Sequence, residues 1–256
     1  MKEKNHFKDV TLLVTHYNRS RSLERLLQSF KNIECSFGDI VVSDDGSKPE
    51  HLNYISQLHN NFEFRSITTP VNKGLGNNIN KGQDAIRTAY TLYVQEDFEP
   101  AADFAIHFQH ALDIADERKD IDLVRFYAYF KFPYLKPFRD GFSEMKFKWW
   151  LPGYKKFYYY SDHPHLRRSN FFEKFGRYPE GVKGDVTEYR MMMSFLKNKG
   201  KAMFYEDYKS LFFQKNSAEE PSTMKRNLWR ESNNIFIHLM REAYRHFKFN
   251  YDLLLR

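Results

Sequence analysis

A single cysteine, Cys35, stands in 256 residues, so no disulfide framework forms within the chain, and a reducing cytoplasm suits it. No run of about 18 uncharged apolar residues occurs, and no transmembrane helix is expected. The start, Met1-Lys2-Glu3-Lys4-Asn5-His6, is charged and lacks the apolar centre of a signal peptide. There is no Walker A sequence, and Gly74-Leu75-Gly76 lacks the third glycine of a dinucleotide fingerprint. Internal repeats and low-complexity tracts are absent as well. These absences argue against a polytopic membrane protein, a disulfide-stapled secreted domain and a P-loop enzyme.

What is present is an aromatic, basic chain long enough to bury a sizeable core. Hydrophobic residues make up 41% and charged residues 29%, which argues against wholesale disorder. Lys and Arg number 40 against 33 Asp and Glu, a net charge of +7. That balance suits a nucleotide sugar, an anionic membrane surface or nucleic acid, and equally an ordinary basic surface. Aromatics form 18% of the chain, with 25 Phe and 17 Tyr, more than a generic core needs. Most belong in a core, although sugar-handling sites also stack rings on aromatics.

The first hundred residues alternate short apolar runs with helical patterns. Val10–Thr15, Asp39–Ser43, Phe62–Ile67 and Tyr90–Gln95 read as strands. Leu23, Leu26, Leu27 and Phe30 share a helical face, with Asn18 or Ser20 as the cap. Leu52, Ile55 and Leu58 mark a second helix, and 77–87 a third. A β-α-β-α-β-α-β series predicts a mainly parallel sheet covered by helices. A helix at 101–115 and a strand at 121–130 follow. Residues 131–160, with Pro133, Pro137 and Pro152 among many rings, read as an insertion of loops and short strands. Ser169 or Asn170 should cap a short helix carrying Phe171, Phe172 and Phe175. A helix at 186–196, a strand at 202–205, a polar loop at 215–223 and a basic amphipathic segment at 226–255 complete the chain. The expected division is a domain over 1–215, with halves 1–105 and 106–215, and a helical extension over 216–256.

Ligands of open α/β sheets bind beyond the carboxyl ends of the strands. There the sequence places Thr15-His16-Tyr17-Asn18-Arg19, then Asp44-Asp45-Gly46-Ser47, then Gln95-Glu96-Asp97. Each cluster alone is also good turn chemistry. Their joint order, with Asn72-Lys73-Gly74-Leu75 between the second and third, resembles the family-two glycosyltransferases of the GT-A fold. The likeness covers about residues 8–105 well and 160–210 loosely.

That resemblance implies a Rossmann-like, mostly parallel sheet flanked by helices. It implies an inverting transfer of sugar from a nucleotide-diphosphate sugar to a hydroxyl of a glycan or lipid-linked acceptor, as in polysaccharide biosynthesis. Thr15, Tyr17, Asp44 and Asp45 would surround base and ribose. Lys73 would meet the diphosphate, because Ile79 stands where many members carry an arginine; Lys81 is the other cation at hand. A divalent metal, Mn²⁺ or Mg²⁺, would sit on Asp97 with Glu96 beside it, although the acidic motif keeps its last acid in one register and loses it in another. The late histidine of the family has only Gln214 near its place. The base would be an acid at a later helix start: Asp185 first, then Glu188, then Glu180. Asp185 as a mere helix cap is the competing reading. His163-Pro164-His165 has no third ligand at a motif spacing. Trp149, Trp150, Tyr154 and Tyr158–Tyr160 line either an acceptor groove or the insertion's own core. The expected location is cytoplasmic, with peripheral contact at the inner face of the membrane through the C-terminal segment, and no nucleic-acid partner. A nucleotidyltransferase and a non-catalytic glycan- or nucleotide-binding module are the alternatives.

Overall fold

The computed structural model describes residues 5–216, 220 and 235–255. The alternation of side chains along the central strands accounts for the architecture. Along β1 (Asn5–His16), Val10, Leu12 and Val14 enter one core and Leu13 the opposite one. In β2 (Cys35–Asp44), Val42 and Val41 part in the same way, as do Leu92 and Tyr93 in β4 (Tyr90–Gln95). Strands apolar on both faces belong inside a sheet with helices on each side. One face receives α1 (Ser20–Asn32), α2 (Pro49–Leu58) and α4 (Phe104–Glu117) through Leu23, Ile55 and Phe104. The other receives α3 (Leu75–Asp84), α5 (Phe171–Phe175) and α6 (Gly184–Lys197) through Ile79, Phe171 and Met191.

The remaining strands are β3 (Arg65–Ile67), β5 (Phe98–Pro100), β6 (Leu123–Arg125), β7 (Leu135–Arg139), β8 (Phe142–Met145), β9 (His165–Arg168), β10 (Ala202–Tyr205) and β11 (Phe212–Gln214). Nine strands form one sheet in the order β3-β2-β1-β4-β9-β6-β10-β8-β7, and β11 pairs with β5 in a small second sheet. β3, β2, β1 and β4 are parallel, as are β6 and β10. β9 inserts antiparallel between β4 and β6, so its start lies at the edge where β1, β2, β4 and β6 end. That edge gathers the polar loops.

Several local expectations differ from the structure. The strand expected over 121–130 stops at Arg125, because the next backbone groups leave the ladder: Phe126 N–H donates to Pro164 O and Ala128 N–H to Tyr208 O. The strand expected from 62 begins only at Arg65. β9 has no apolar alternation to announce it. Its Arg167 is buried, held by Gln83 and Tyr178 and ringed by Tyr93, Phe171, Phe172 and Tyr178. Neither Asn18 nor Ser20 caps α1. Glu220, far along the chain, accepts the N–H groups of Arg21 and Ser22 at 3.0 and 2.8 Å. Asn170 takes the cap position of α5, but its side chain caps no helix N–H and reaches Glu173 Oε2 at 3.4 Å instead.

The insertion over 131–160 holds the β7–β8 hairpin, turned through Asp140 and Gly141 at φ 53° and 78°, and a 3-10 turn at Tyr154–Phe157. The last helix, α7 (Ile235–Leu254), packs Phe249 among Tyr154, Phe157 and Tyr189. The first part of the expected C-terminal segment, 226–234, and most of the loop over 217–223 lie outside the described residues. Among the described residues no helix is long and apolar enough to cross a membrane.

Candidate active site

The first cluster is built where β1 and β2 end side by side. Asp44 receives His16 Nδ1 at 2.7 Å, Ser47 N–H at 3.0 Å, Thr68 Oγ1 at 2.6 Å and the Ser47 hydroxyl. Burial raises its pKa, but these hydrogen bonds together outweigh burial and hold the carboxyl well below its usual range. His16 Nε2 accepts the Arg19 N–H at 3.1 Å, so the neutral ring carries its proton on Nδ1, toward Asp44. Asp45 accepts the N–H groups of Lys73 and Gly74 at 2.8 and 2.9 Å, one per oxygen. It therefore fixes the turn that opens α3. Gly46 (φ 67°) lets this loop touch the next: a Cβ there would lie 2.5 Å from the Val71 carbonyl carbon.

Of the residues expected around base and ribose, Thr15 and both aspartates are thus tied to protein groups. Thr15 Oγ1 pairs with Tyr93 Oη at 3.0 Å. Tyr17 is half-buried at the rim and Lys73 is exposed. Lys81 reaches the Asp44 carbonyl, and burial lowers its pKa. Ile79 is fully buried in the core. A cleft of about 220 Å³ opens beside Asp44 between α2 and β3, lined by Leu52, Ile55, Ser56, His59, Ser66 and Thr68.

The second cluster lies past β4. Asp97 is only 6% exposed. Its Oδ2 receives Gln214 Nε2 at 2.9 Å and faces Arg19 Nη1 at 3.3 Å, while its Oδ1 is buried without a hydrogen-bond partner. Arg19 also stands 3.7 Å from Glu96 and donates to Asn216 at 2.8 Å. Burial, with the Asp97 charge adding, pushes the Glu96 carboxyl up to about 8 against the pull of Arg19. Arg19, the last residue of the first sequence cluster, thus lies between the two clusters.

Gln214 carries the contact onward. Tyr129 Oη donates to Gln214 Oε1 at 3.3 Å, and the Tyr129 ring meets the His163 ring edge-on at 4.5 Å. Burial, with Arg125 adding, pulls the His163 imidazole down to about 3. The neighbouring Asp162 donates its N–H to Glu188 Oε1 at 3.4 Å. Burial first, then the charge and hydrogen bond of Glu188, push the Asp162 carboxyl well above the usual range. Arg125 is buried close enough to Glu188 for its charge to register and donates to the Tyr158 carbonyl at 2.6 Å.

Glu188, itself half-buried, thus pairs with the buried Asp162. Asp185 sits half-buried in the first turn of α6, one turn earlier. Glu180 is exposed and bound to Asn77 and Asn80, both at 2.8 Å. The sequence reading missed Asp162 because nothing in Ser161-Asp162-His163 marks a strand beginning behind it.

A divalent metal can be tested against this donor set. Among the described residues no three acids, histidines or cysteines cluster as a protein-only cage. The unpartnered Asp97 Oδ1 is one hard-oxygen ligand, and hard cations share such a ligand with phosphate oxygens and water. The residues fit a metal completed by a diphosphate.

A family model matches most of the chain. Residues 11–195 match the sequence model described as Glycosyl transferase family 2. A poly-beta-1,6-N-acetyl-D-glucosamine synthase of Staphylococcus epidermidis is 24% identical over 95 residues, 37% of this chain and 23% of that protein. The chain therefore spans about a quarter of that relative's length. Among solved structures, S. aureus TarS 1-349 in complex with UDP-GlcNAc superposes with a TM-score of 0.61 at 17% identity, covering 96% of this chain and 76% of that one. The mannosyltransferase PcManGT from Pyrobaculum calidifontis, in complex with GDP-Man and Mn²⁺, gives 0.53 at 14% identity over 78% and 55%.

Proposed function

Since the chain belongs to glycosyl transferase family 2, we propose that it moves a sugar, with inversion, from a nucleotide-diphosphate sugar to a hydroxyl of a glycan or lipid-linked acceptor in the cytoplasm. The observation that carries the reading is the buried Asp97 with one oxygen unpartnered, joined through Gln214 and Tyr129 to the wall that holds the Asp162–Glu188 pair. Residues 1–105 form the donor half of a domain ending near 215, and 106–215 the acceptor half. The chain beyond 215 is an extension.

The nucleoside lies beside Asp44, with Tyr17 at the rim and the Lys73–Gly74 turn set by Asp45. Asp97, with Glu96 beside it, would hold a divalent metal, which when bound neutralises diphosphate charge. Arg19 and Lys81 are the chain's own buried or half-buried cations nearby, and Lys73 adds an exposed one. They stabilise the charge that grows on the leaving diphosphate.

Glu188 is the base in this reading, ahead of Asp185, because its pairing with Asp162 gives it a fixed orientation. Asp162, its carboxyl held well above the usual range by burial and Glu188, donates its backbone N–H to Glu188 Oε1 and holds it. As the acceptor oxygen bonds to the anomeric carbon, Glu188 takes its proton. The bond from that carbon to the diphosphate oxygen breaks, and its electron pair leaves with the nucleotide. Attack from the face opposite the diphosphate inverts the anomeric centre.

Calorimetric titration with UDP and GDP, with and without Mn²⁺, tests the donor half. Binding of one of them, followed by slow hydrolysis of its sugar conjugate, is expected. Binding of neither would sink the reading.

A further inference from the structure

Along α7, Met240, Tyr244, Phe247, Tyr251, Leu254 and Leu255 recur at helical spacing, and each is between 53% and 74% exposed. At 100° per residue they fall within a single arc of about 100°. Phe249, on the opposite side of the helix, is the residue buried against the body. The helix thus packs through one face and shows a second apolar face outward. Side chains of this size bury about 200 Å² each, so the stripe amounts to several hundred Å², at or above the largest patch of an ordinary monomer.

The surroundings of the stripe are basic. The helix itself, Ile235–Leu254, holds Arg241, Arg245 and Lys248 against Glu242 and Asp252. The insertion that α7 packs on adds to this. Arg245 donates to Tyr154 Oη at 3.2 Å, tying the helix to a stretch, 145–160, with four lysines and no acid. Lys148 and Lys155 are exposed there, and Trp149 and Trp150 stand 50% and 61% exposed. Exposed tryptophan and tyrosine beside lysine and arginine are what a bilayer interface takes up.

We propose that this face of α7, with the Trp149–Trp150 loop, docks on an anionic lipid bilayer. The apolar stripe enters the headgroup boundary while the basic groups meet lipid phosphates. A second copy of the chain fits less well, because it would bring two segments of the same positive charge together. The proposal stands apart from the transfer reaction: none of these residues belongs to the donor site or the acid pair.

Flotation of the full chain with phosphatidylcholine vesicles, with and without phosphatidylglycerol, tests it. Binding is expected only with phosphatidylglycerol, and should weaken at high salt. The variant Tyr244→Ser/Phe247→Ser/Tyr251→Ser should lose tenfold or more of that partition while its melting temperature and UDP binding stay unchanged. Lys148→Glu/Lys155→Glu should weaken partition without touching the stripe. No binding to anionic vesicles, or equal binding by the triple variant, overturns the proposal. So does self-association in the ultracentrifuge that the triple variant abolishes while wild type ignores vesicles.

Discussion

Arg19 Nη1 lies 3.3 Å from Asp97 Oδ2, and the two side chains are only 6% and 7% exposed. A guanidinium so placed offsets a carboxylate that burial alone would disfavour. The second carboxylate oxygen, Oδ1, is buried with no hydrogen-bond partner. Asp97 therefore has one oxygen committed to Arg19 and Gln214 and one unsatisfied.

The unpartnered oxygen gives the first prediction. Mn²⁺ should tighten UDP or GDP binding to the wild type, and Asp97→Asn should abolish that gain while metal-free binding stays nearly intact. Asn keeps a neutral oxygen for Arg19 and Gln214 but loses the charge a divalent ion needs. Equal enhancement in both proteins would move the role to another acid, and no enhancement in the wild type would leave Arg19 and the lysines as the sole positive charge.

Asp45 supports a different expectation. Both its oxygens accept backbone N–H groups, from Lys73 and Gly74. Asn can accept only one of these and sets its own NH₂ against the other. Asp45→Asn should cost about 1–3 kcal/mol of stability, the penalty of an unmet buried donor, and should loosen the Lys73 turn so that nucleotide binding weakens too. Urea unfolding and nucleotide titration on the same preparation check this. Weakened binding at unchanged stability would instead make Asp45 a direct ligand.

These two aspartates show how far the sequence was legible. The order of the strands and the loops at their carboxyl ends followed from apolar runs and turn residues, because those signals are local. So did the places of Asp44, Asp45 and Asp97. What the carboxylates bond to did not follow, since Lys73, Thr68 and Gln214 reach them from distant parts of the chain. The same holds for Glu220 on α1. β9 was illegible for a second reason: its inward arginine is satisfied by rings and an amide, which no periodicity records.

Asp162 gives a prediction in pH. Its folded pKa is raised, by burial first. The folded chain therefore keeps a proton that the unfolded chain releases near pH 4, and stability falls as pH rises above that value. Asp162→Asn removes the titration. His163, pulled down to about 3, acts in the other direction: the unfolded chain takes up a proton below about pH 6.5 that the folded chain refuses, in both proteins alike. The difference in melting temperature, variant minus wild type, should therefore grow from pH 5 to pH 8. A difference independent of pH would mean that Asp162 ionises normally and that no proton is shared with Glu188.

The last prediction separates the two acids of α6. Asp185 lies in the first turn, where a carboxylate gains about 0.3–1 kcal/mol from the exposed N–H groups whatever else it does. Asp185→Asn should therefore be a mild change in stability, and transfer should stay within a few-fold of wild type. Glu188 sits one turn on, beside the Asp162 N–H and close enough to register the charge of Arg125. A sugar hydroxyl is a poor nucleophile until its proton is accepted, so losing the acceptor of that proton should be severe. Glu188→Gln keeps the shape and the hydrogen bond but cannot take a proton. It should cut turnover by ~10²-fold or more with donor affinity unchanged, since the base meets the acceptor and not the nucleotide. Asp162→Asn should fall between the two, because it still positions Glu188 but no longer carries the shared proton. Turnover and nucleotide affinity measured on all three variants decide the matter. A large loss in Asp185→Asn with near wild-type transfer in Glu188→Gln would reverse the assignment and make the Asp162–Glu188 pair structural.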